Sequence, residues 1–504
     1  MRQRIAPMAL AVAGSLGLSA PSSAQTGIDA QENVFGATNV NAVTGHGRLT
    51  AGVSRDGDLT VLSWPSPSYS DQLGYLTSND FDARSQPRFG AAEGAGVFVG
   101  LRCEAGGSQP EVTWLRDRTA WTIEQDYGPD DGPHPHTRFR NDTLGLSVEV
   151  VDAIAPQSDT WVRRVEVTRD AQSPVQQAWL LTVANLSPQP TESRVAELPI
   201  VDWAKDGAND FAAAWHATEH AIIHFHPADQ RLYRSLLQLA GEPSVQWGPV
   251  GDALTQASIT AAEIDALLSN ADASYGEGAW LALSTVPAPD QHQIGFDATP
   301  FCDQVDDMLD HIDQMPATFP DFESPLGPDL IEALRCARRP AEIISTEGWV
   351  YPADDGWTDA QDGELAGAGL AAGEVSEALR TPLAFDSGGP AEAAVVLGAG
   401  RTMADAVEAL RAGDDASSVI DDSEAAVTAW LSGLTIPGSP GERAHAVARR
   451  ALINLRVGTD AATGAVVASI ARQPPYQLDW PRDGAFFNVL LDASGQTEIV
   501  ERRL

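Results

Sequence analysis

Two runs of sequence decide the fold: Leu146-Ser-Val-Glu-Val150 and Trp161-Val-Arg-Arg-Val-Glu-Val167. In the first, Val148 and Val150 alternate with Ser147 and Glu149; in the second, Val165 and Val167 alternate with Arg164 and Glu166. A period of two is the mark of a strand with one face buried. Working outward, Thr60-Val-Leu-Ser-Trp64, Val97-Phe-Val-Gly-Leu101, Trp179-Leu-Leu-Thr-Val183 and Ala393-Ala-Val-Val-Leu397 read the same way. Asp56-Gly57 supplies a hairpin turn ahead of the first of these. Short strands recur between turns from about Val34 to Val286 with almost no helical period, and 44 Gly and 33 Pro fit a turn-rich body. The prediction is a mainly β protein built on a large antiparallel sandwich over residues 25–400.

Helical signals come in two places. Residues 300–345 interrupt the strands: Val305 to Ile312 and Leu330 to Ala337 read as acidic helices separated by four prolines, an excursion from the sandwich. The Gly-, Ala- and Asp-rich residues 353–375 read as a loop. Over residues 401–440, Met403 to Leu410 and Ser423 to Leu431 read as linker helices. Ser439-Pro-Gly-Glu442 then has the form of a capping box. Ala444, Val447, Ala448, Ala451, Leu452 and Leu455 follow at helical spacing, and Gly458 is placed to stop the helix. A helical unit therefore starts near Gly441, and residues 441–504 are too few for an independent barrel.

The formal net charge is -38, a surface that repels nucleic acid and anionic membranes and suits a neutral substrate. Residues 1–24 read as a secretory signal: Arg2 and Arg4, an apolar run from Ile5 to Leu18, and small residues Ser22-Ser-Ala24 before Gln25. That run is too short to span a bilayer, so a periplasmic or secreted protein is expected, with no membrane association after cleavage. Among Cys103, Cys302 and Cys336, one disulfide would leave one thiol, with Cys302 and Cys336 the more natural pair. Three separate buried thiols are the alternative.

Gly398-Ala-Gly-Arg-Thr-Met403 lacks the third glycine of a dinucleotide fingerprint and has no repeated βαβ setting, so a tight turn between strand and helix explains it. His216, Glu219, His220, His224 and His226 cluster, but Ile222 to Phe225 reads as a strand, making a polar sheet face the better reading than a metal site. His134-Pro-His136, near Asp130 and Asp131, reads as a polar loop. No metal or other cofactor is predicted; calcium is not readable from the sequence.

The strongest constellation is Tyr476-Gln-Leu-Asp-Trp-Pro-Arg-Asp483. Asp479 can cap a helix that carries Pro481 in its first turn. Arg482 and Asp483 then project from the helix start, where free N–H groups favour a carboxylate. Asp483 can accept two sugar hydroxyls, Arg482 offers a planar fork, and Trp480 and Tyr476 can stack on an apolar sugar face. A capped helix with a local ion pair is the purely structural reading of the same residues.

The segment from Arg450 to Leu504 resembles the start of the catalytic domain in the bacterial branch of the glucoamylase/glucodextranase family of glycoside hydrolases. The residues that carry the resemblance are Ala451-Leu-Ile-Asn-Leu455, Gly464-Ala-Val-Val-Ala-Ser469, Tyr476 with Trp480-Pro-Arg-Asp483, Leu490-Leu491 and Gly495. Leu62-Ser-Trp-Pro65 with Tyr69, Asp152 to Trp161, and Val396-Leu-Gly-Ala-Gly-Arg401 with Ala406 resemble the family's N-terminal sandwich. The resemblance implies a super-β-sandwich, a helical linker and the first helices of an (α/α)6 barrel. It also implies removal of glucose from non-reducing ends of α-glucans with inversion, with Tyr476, Trp480, Arg482 and Asp483 lining the innermost subsite. Inversion needs a general acid and a general base about 6.5–9.5 Å apart. The family carries both on later barrel segments. Glu498 and Glu501, the glutamates after Asp483, match no family position, so the expectation is an incomplete barrel without the catalytic pair. A non-catalytic α-glucan-binding sandwich is the alternative.

Overall fold

A computed structural model describes residues 40–67, 96–106, 109–128, 131–186, 188, 212–226, 268–269, 279–296, 356–372, 375–385, 389–470 and 479–504. The expected signal segment, the helical excursion at 300–345, Tyr69, Cys302, Cys336 and Tyr476 lie outside these residues.

The strands are β1 (Ala42–Gly45), β2 (Thr50–Val53), β3 (Leu59–Ser63), β4 (Val97–Ala105), β5 (Glu111–Trp114) and β6 (Thr122–Asp126). There follow β7 (His136–Asn141), β8 (Leu146–Ile154), β9 (Thr160–Arg169), β10 (Val175–Ala184), β11 (Ala212–His216) and β12 (Ala221–His226). The last are β13 (Ala279–Val286), β14 (Gln291–Phe296), β15 (Leu370–Ala372), β16 (Val375–Leu383) and β17 (Ala391–Gly400). They form two antiparallel sheets, one 8-stranded in the order β1-β2-β3-β4-β10-β16-β14 with β5 on β4, the other 9-stranded in the order β15-β11-β12-β13-β17-β9-β8-β7-β6. The helices are α1 (Gly356–Asp359), α2 (Met403–Arg411), α3 (Ala416–Ser432), α4 (Arg443–Val457), α5 (Pro481–Ala493) and α6 (Thr497–Arg503). Within the predicted loop at 353–375, the described residues include a short helix and an edge strand.

The alternation does the work expected of it. Val165 and Val167 of β9 and Val148 and Val150 of β8 face the space between the sheets, where they meet Leu101, Leu180, Leu281 and Val395. On the outer face of the nine-stranded sheet, Val162 and Val396 pack against Ala406, Leu410 and Val419 of α2 and α3. The sandwich is therefore three layers deep where α2 and α3 cover it.

The glycines of Gly398-Ala-Gly400 sit inside β17, not in a turn. A Cβ at Gly398 would collide with the Ala406 carbonyl and the Leu410 amide, so these glycines let α2 lie directly on the strand. Thr402 and Asp405 form the capping box that starts α2.

Two buried polar pairs help tie the sheets together, one through an arginine that also reaches the opposite sheet and one directly across the core. Arg163 of β9 donates Nε and Nη2 to both oxygens of Asp152 at 2.9 and 3.1 Å and Nη1 to the Val97 carbonyl of the opposite sheet at 3.4 Å. His224 of β12 bonds Glu377 of β16 across the core, both fully buried. His224 therefore faces the interior instead of a polar sheet face. Burial pushes the Glu377 carboxyl above the usual carboxylate range, with the facing imidazole opposing it.

His216 and His220 flank the turn between β11 and β12, not a helical face; the His216 Nδ1 accepts from the Glu219 amide at 3.3 Å. His134 is buried under α3, with Nε2 3.2 Å from the Ile420 carbonyl, and desolvation lowers it to about 4. The polar loop read at His134 to His136 is thus a packed contact. Cys103 is a free buried thiol whose pKa burial raises to about 12, so it serves as a core residue.

Candidate functional site

The helical unit is tied to the sandwich before the site begins. The Thr50 hydroxyl donates to the Val457 carbonyl at the end of α4 at 3.2 Å, and the Ala461 amide donates to the Gly47 carbonyl at 3.0 Å. Gly47 has φ +87, and a Cβ there would run into the Thr459 carbonyl, so only glycine lets the β1–β2 hairpin come this close. Arg450 donates Nε and Nη2 to Asp131 Oδ1 at 3.2 and 2.8 Å and bonds the Asp131 and Gly132 carbonyls. Its guanidinium lies 3.4 Å from the Tyr127 ring centroid. Asp131 takes the left-handed φ of 54 at this clasp.

The start of α4 differs from the sequence reading. Glu442 accepts from the Ser439 amide at 2.9 Å, half of the expected box, but it closes a turn before the helix, which begins at Arg443. The buried face is Leu452, Ile453 and Val457, while Val447 is exposed. Ile453 packs with Val427 and Leu431 of α3. Gly458 ends the helix as predicted.

At α5 the N-cap is Trp480, whose side chain makes no capping bond, with Pro481 at the first helical position. Asp479 is not the cap. Its carboxylate is held by Arg503 of α6 through two bonds of 2.7 Å. This pair holds the Arg503 guanidinium above its ordinary pKa. Arg482 and Asp483 do form the ion pair read in the sequence, at 3.1 and 3.3 Å. The Arg482 side chain is 79% exposed and that of Asp483 27%. Trp480 is 39% exposed. Indole, guanidinium and carboxylate thus share the N-terminal end of one helix and all reach solvent. This is a surface able to stack on a sugar ring and bond its hydroxyls.

Beyond these residues α5 shows an apolar stripe, Phe486, Val489 and Leu490, that nothing among the described residues covers. Phe486 and Val489 are 72% and 70% exposed. Glu498 and Glu501 are exposed on α6. Among the described residues, no group of three or more His, Cys, Asp or Glu is placed to hold a metal ion, and no helix is long and apolar enough to cross a membrane.

Comparison with solved structures bears on this arrangement. A bacterial glucoamylase crystallised with acarbose matches 92% of this chain at a TM-score of 0.52 and 10% identity. The fold is similar to that of bacterial glucoamylase. The chain spans about half the length of that enzyme, 49%. A GH92 inverting mannosidase of Bacteroides thetaiotaomicron matches 83% of this chain and 35% of its own, at a TM-score of 0.31 and 6% identity, too low to bear on the fold. No family model matches the chain, and no curated protein does.

Sequence reasoning missed the Asp479–Arg503 pair and the Arg450–Asp131 clasp. The first joins residues 24 apart, and the second joins residues 319 apart. Neither spacing leaves a local signal. The paired arginines Arg502-Arg503, at the end of a helix, were the available hint.

Proposed function

We propose that this chain is part of an exported inverting glycoside hydrolase of glucoamylase or glucodextranase type. It would bind the non-reducing end of an α-glucan at the N-terminus of α5. Trp480 would stack on the terminal glucose and Asp483 and Arg482 would bond its hydroxyls; Tyr476, outside the described residues, is the further aromatic this reading assigns to the subsite. Residues 441–504 would begin an (α/α)6 barrel, with neither Glu498 nor Glu501 as its general acid or base.

One observation carries the reading. Trp480, Arg482 and Asp483 stand together and solvent-accessible at one helix start, on a fold similar to bacterial glucoamylase. The exposed stripe Phe486, Val489 and Leu490 supports it, because large apolar faces of this kind are normally covered by further structure.

The chemistry follows from what is present. A carboxylate and a guanidinium in fixed relation can orient a sugar ring. They cannot supply both proton transfers of inversion, which need two carboxyl groups flanking the bond. Glu498 and Glu501, a helical turn apart, lie about 5–6 Å apart at Cβ on one helix face, the wrong arrangement for two groups acting on opposite faces of a sugar. The purified chain should therefore release no glucose from maltooligosaccharides or dextran in a coupled glucose assay. Steady hydrolysis that tracks the protein through purification would overturn the reading that Asp483 and Arg482 bind sugar without a catalytic pair.

A further inference from the structure

We propose that Arg503 is a positioning residue for the α5 site, acting through Asp479 and across Gly484; this deepens, and rests on, the reading of Trp480 to Asp483 as the sugar-binding segment. The start of α5 has no side-chain cap of its own. Pro481 fixes one backbone angle and the Gly484 amide donates to the Trp480 carbonyl at 2.8 Å, but neither sets the angle at which the chain enters the helix. Arg503 does. Its fork grips both oxygens of Asp479, the residue immediately before Trp480, at 2.7 Å each. Both side chains are largely sheltered, 12% exposed for Arg503 and 23% for Asp479. A bidentate charge-assisted pair is the strongest and most directional hydrogen-bonded contact available to side chains.

Gly484 is the third part of the device. A Cβ there would overlap the Arg503 guanidinium, with Nη2 and Cζ the nearest atoms. The guanidinium therefore crosses the first turn of α5 directly over the glycine backbone to reach Asp479. Gly484 is buried and helical with no positive φ, so the turn itself does not require glycine. The passage of Arg503 does. Arg503 belongs to α6, which is anchored separately: the Arg502 guanidinium donates to the Ala461 carbonyl at 2.5 Å, and Gly464 passes so close to α6 that a Cβ there would collide with the Ile499 carbonyl. Since Ala461 also bonds the Gly47 carbonyl, the placement of Trp480 is referred back through α6 to the β1–β2 hairpin of the sandwich.

The test uses the whole chain with Arg503→Ala, Asp479→Ala, their double variant and Gly484→Ala. Two readouts are taken: amide exchange over Trp480 to Gly484 and affinity for maltotriose. Loss of the charge-assisted pair should speed exchange and weaken affinity roughly tenfold or more. The double variant should match either single, because both remove one contact. Gly484→Ala separates positioning from mere stability. Alanine is the stronger helix former, so exchange in the body of α5 should slow or hold while affinity falls. Unchanged exchange and affinity in all variants overturns the proposal. Additive effects in the double variant also overturn it. A wild-type chain that does not bind maltotriose overturns the sugar reading itself, and Arg503 is then a structural clamp only.

Discussion

Arg450→Ala should loosen the helical unit from the sandwich. The substitution removes a fork onto Asp131, further bonds to the Asp131 and Gly132 carbonyls, and a guanidinium 3.4 Å from the Tyr127 ring centroid. Hydrogen bonds to charged groups contribute about 1.5–3 kcal/mol and cation–π contacts about 0.5–2 kcal/mol. Asp131 is 38% exposed, so solvent screening takes the ionic part toward the low end. A loss of about 2 kcal/mol results, confined to the docking of α4 because the same bonds hold no element of the sheets. On the 1.4 kcal/mol-per-decade scale this is roughly 30-fold faster amide exchange across Arg443–Val457, with little change in β8 and β9. Arg450→Lys should recover only part of it, since an ammonium lacks the planar fork and stacks poorly. Exchange in α4 within about threefold of wild type would refute the clasp as the element that docks the helices.

Gly398→Ala should destabilise the sandwich by about 1–3 kcal/mol or more in denaturant unfolding, because the obstructing atoms are α2 backbone and cannot rotate away; a neutral result would mean α2 rides further off β17. His134 is neutral when folded, with its pKa lowered to about 4, so its contribution is present above about pH 6.5 and is lost as pH falls toward 4. At 1.36 kcal/mol per unit this is on the order of 3 kcal/mol, and His134→Gln should flatten the fall in thermal midpoint between pH 7 and 5; an unchanged slope would assign it to other groups. Asp152→Ala, which strands the buried Arg163 guanidinium, should cost about 3–5 kcal/mol in denaturant unfolding; a loss under about 1 kcal/mol would show that Arg163 finds another partner.

The strands were legible because a sheet with one buried face writes its period into the residues. Val148, Val150, Val165 and Val167 face inward as their alternation requires. What the alternation conceals is polarity turned inward. Arg163 occupies an inward position of β9 beside Val165, and its cross-strand partner Asp152, with the Val97 carbonyl opposite, makes that tolerable. His224 likewise depends on Glu377, 153 residues away. At the site, the Arg482–Asp483 pair is local and was readable. Asp479 looked like a cap because caps are read from residue type and offset. The structure gives its carboxylate to Arg503 instead. α3 also begins earlier than the Ser423 read from the sequence: it starts at Ala416, where Asp415 accepts from the Ser418 amide, and its first turns bury Ala416 and Val419.

The central claim is that Trp480, Arg482 and Asp483 bind the end of an α-glucan, and calorimetric titration of wild type and Asp483→Asn with maltotriose tests it most directly. Asparagine keeps the shape at the helix start and removes a charged acceptor worth about 1.5–3 kcal/mol. The account predicts saturable binding by the wild type, roughly ten- to hundred-fold weaker in the variant, with the thermal midpoint unchanged. Equal affinity in both proteins, or an intact affinity accompanied by a large fall in thermal midpoint, would contradict it and leave the segment as a helix start alone.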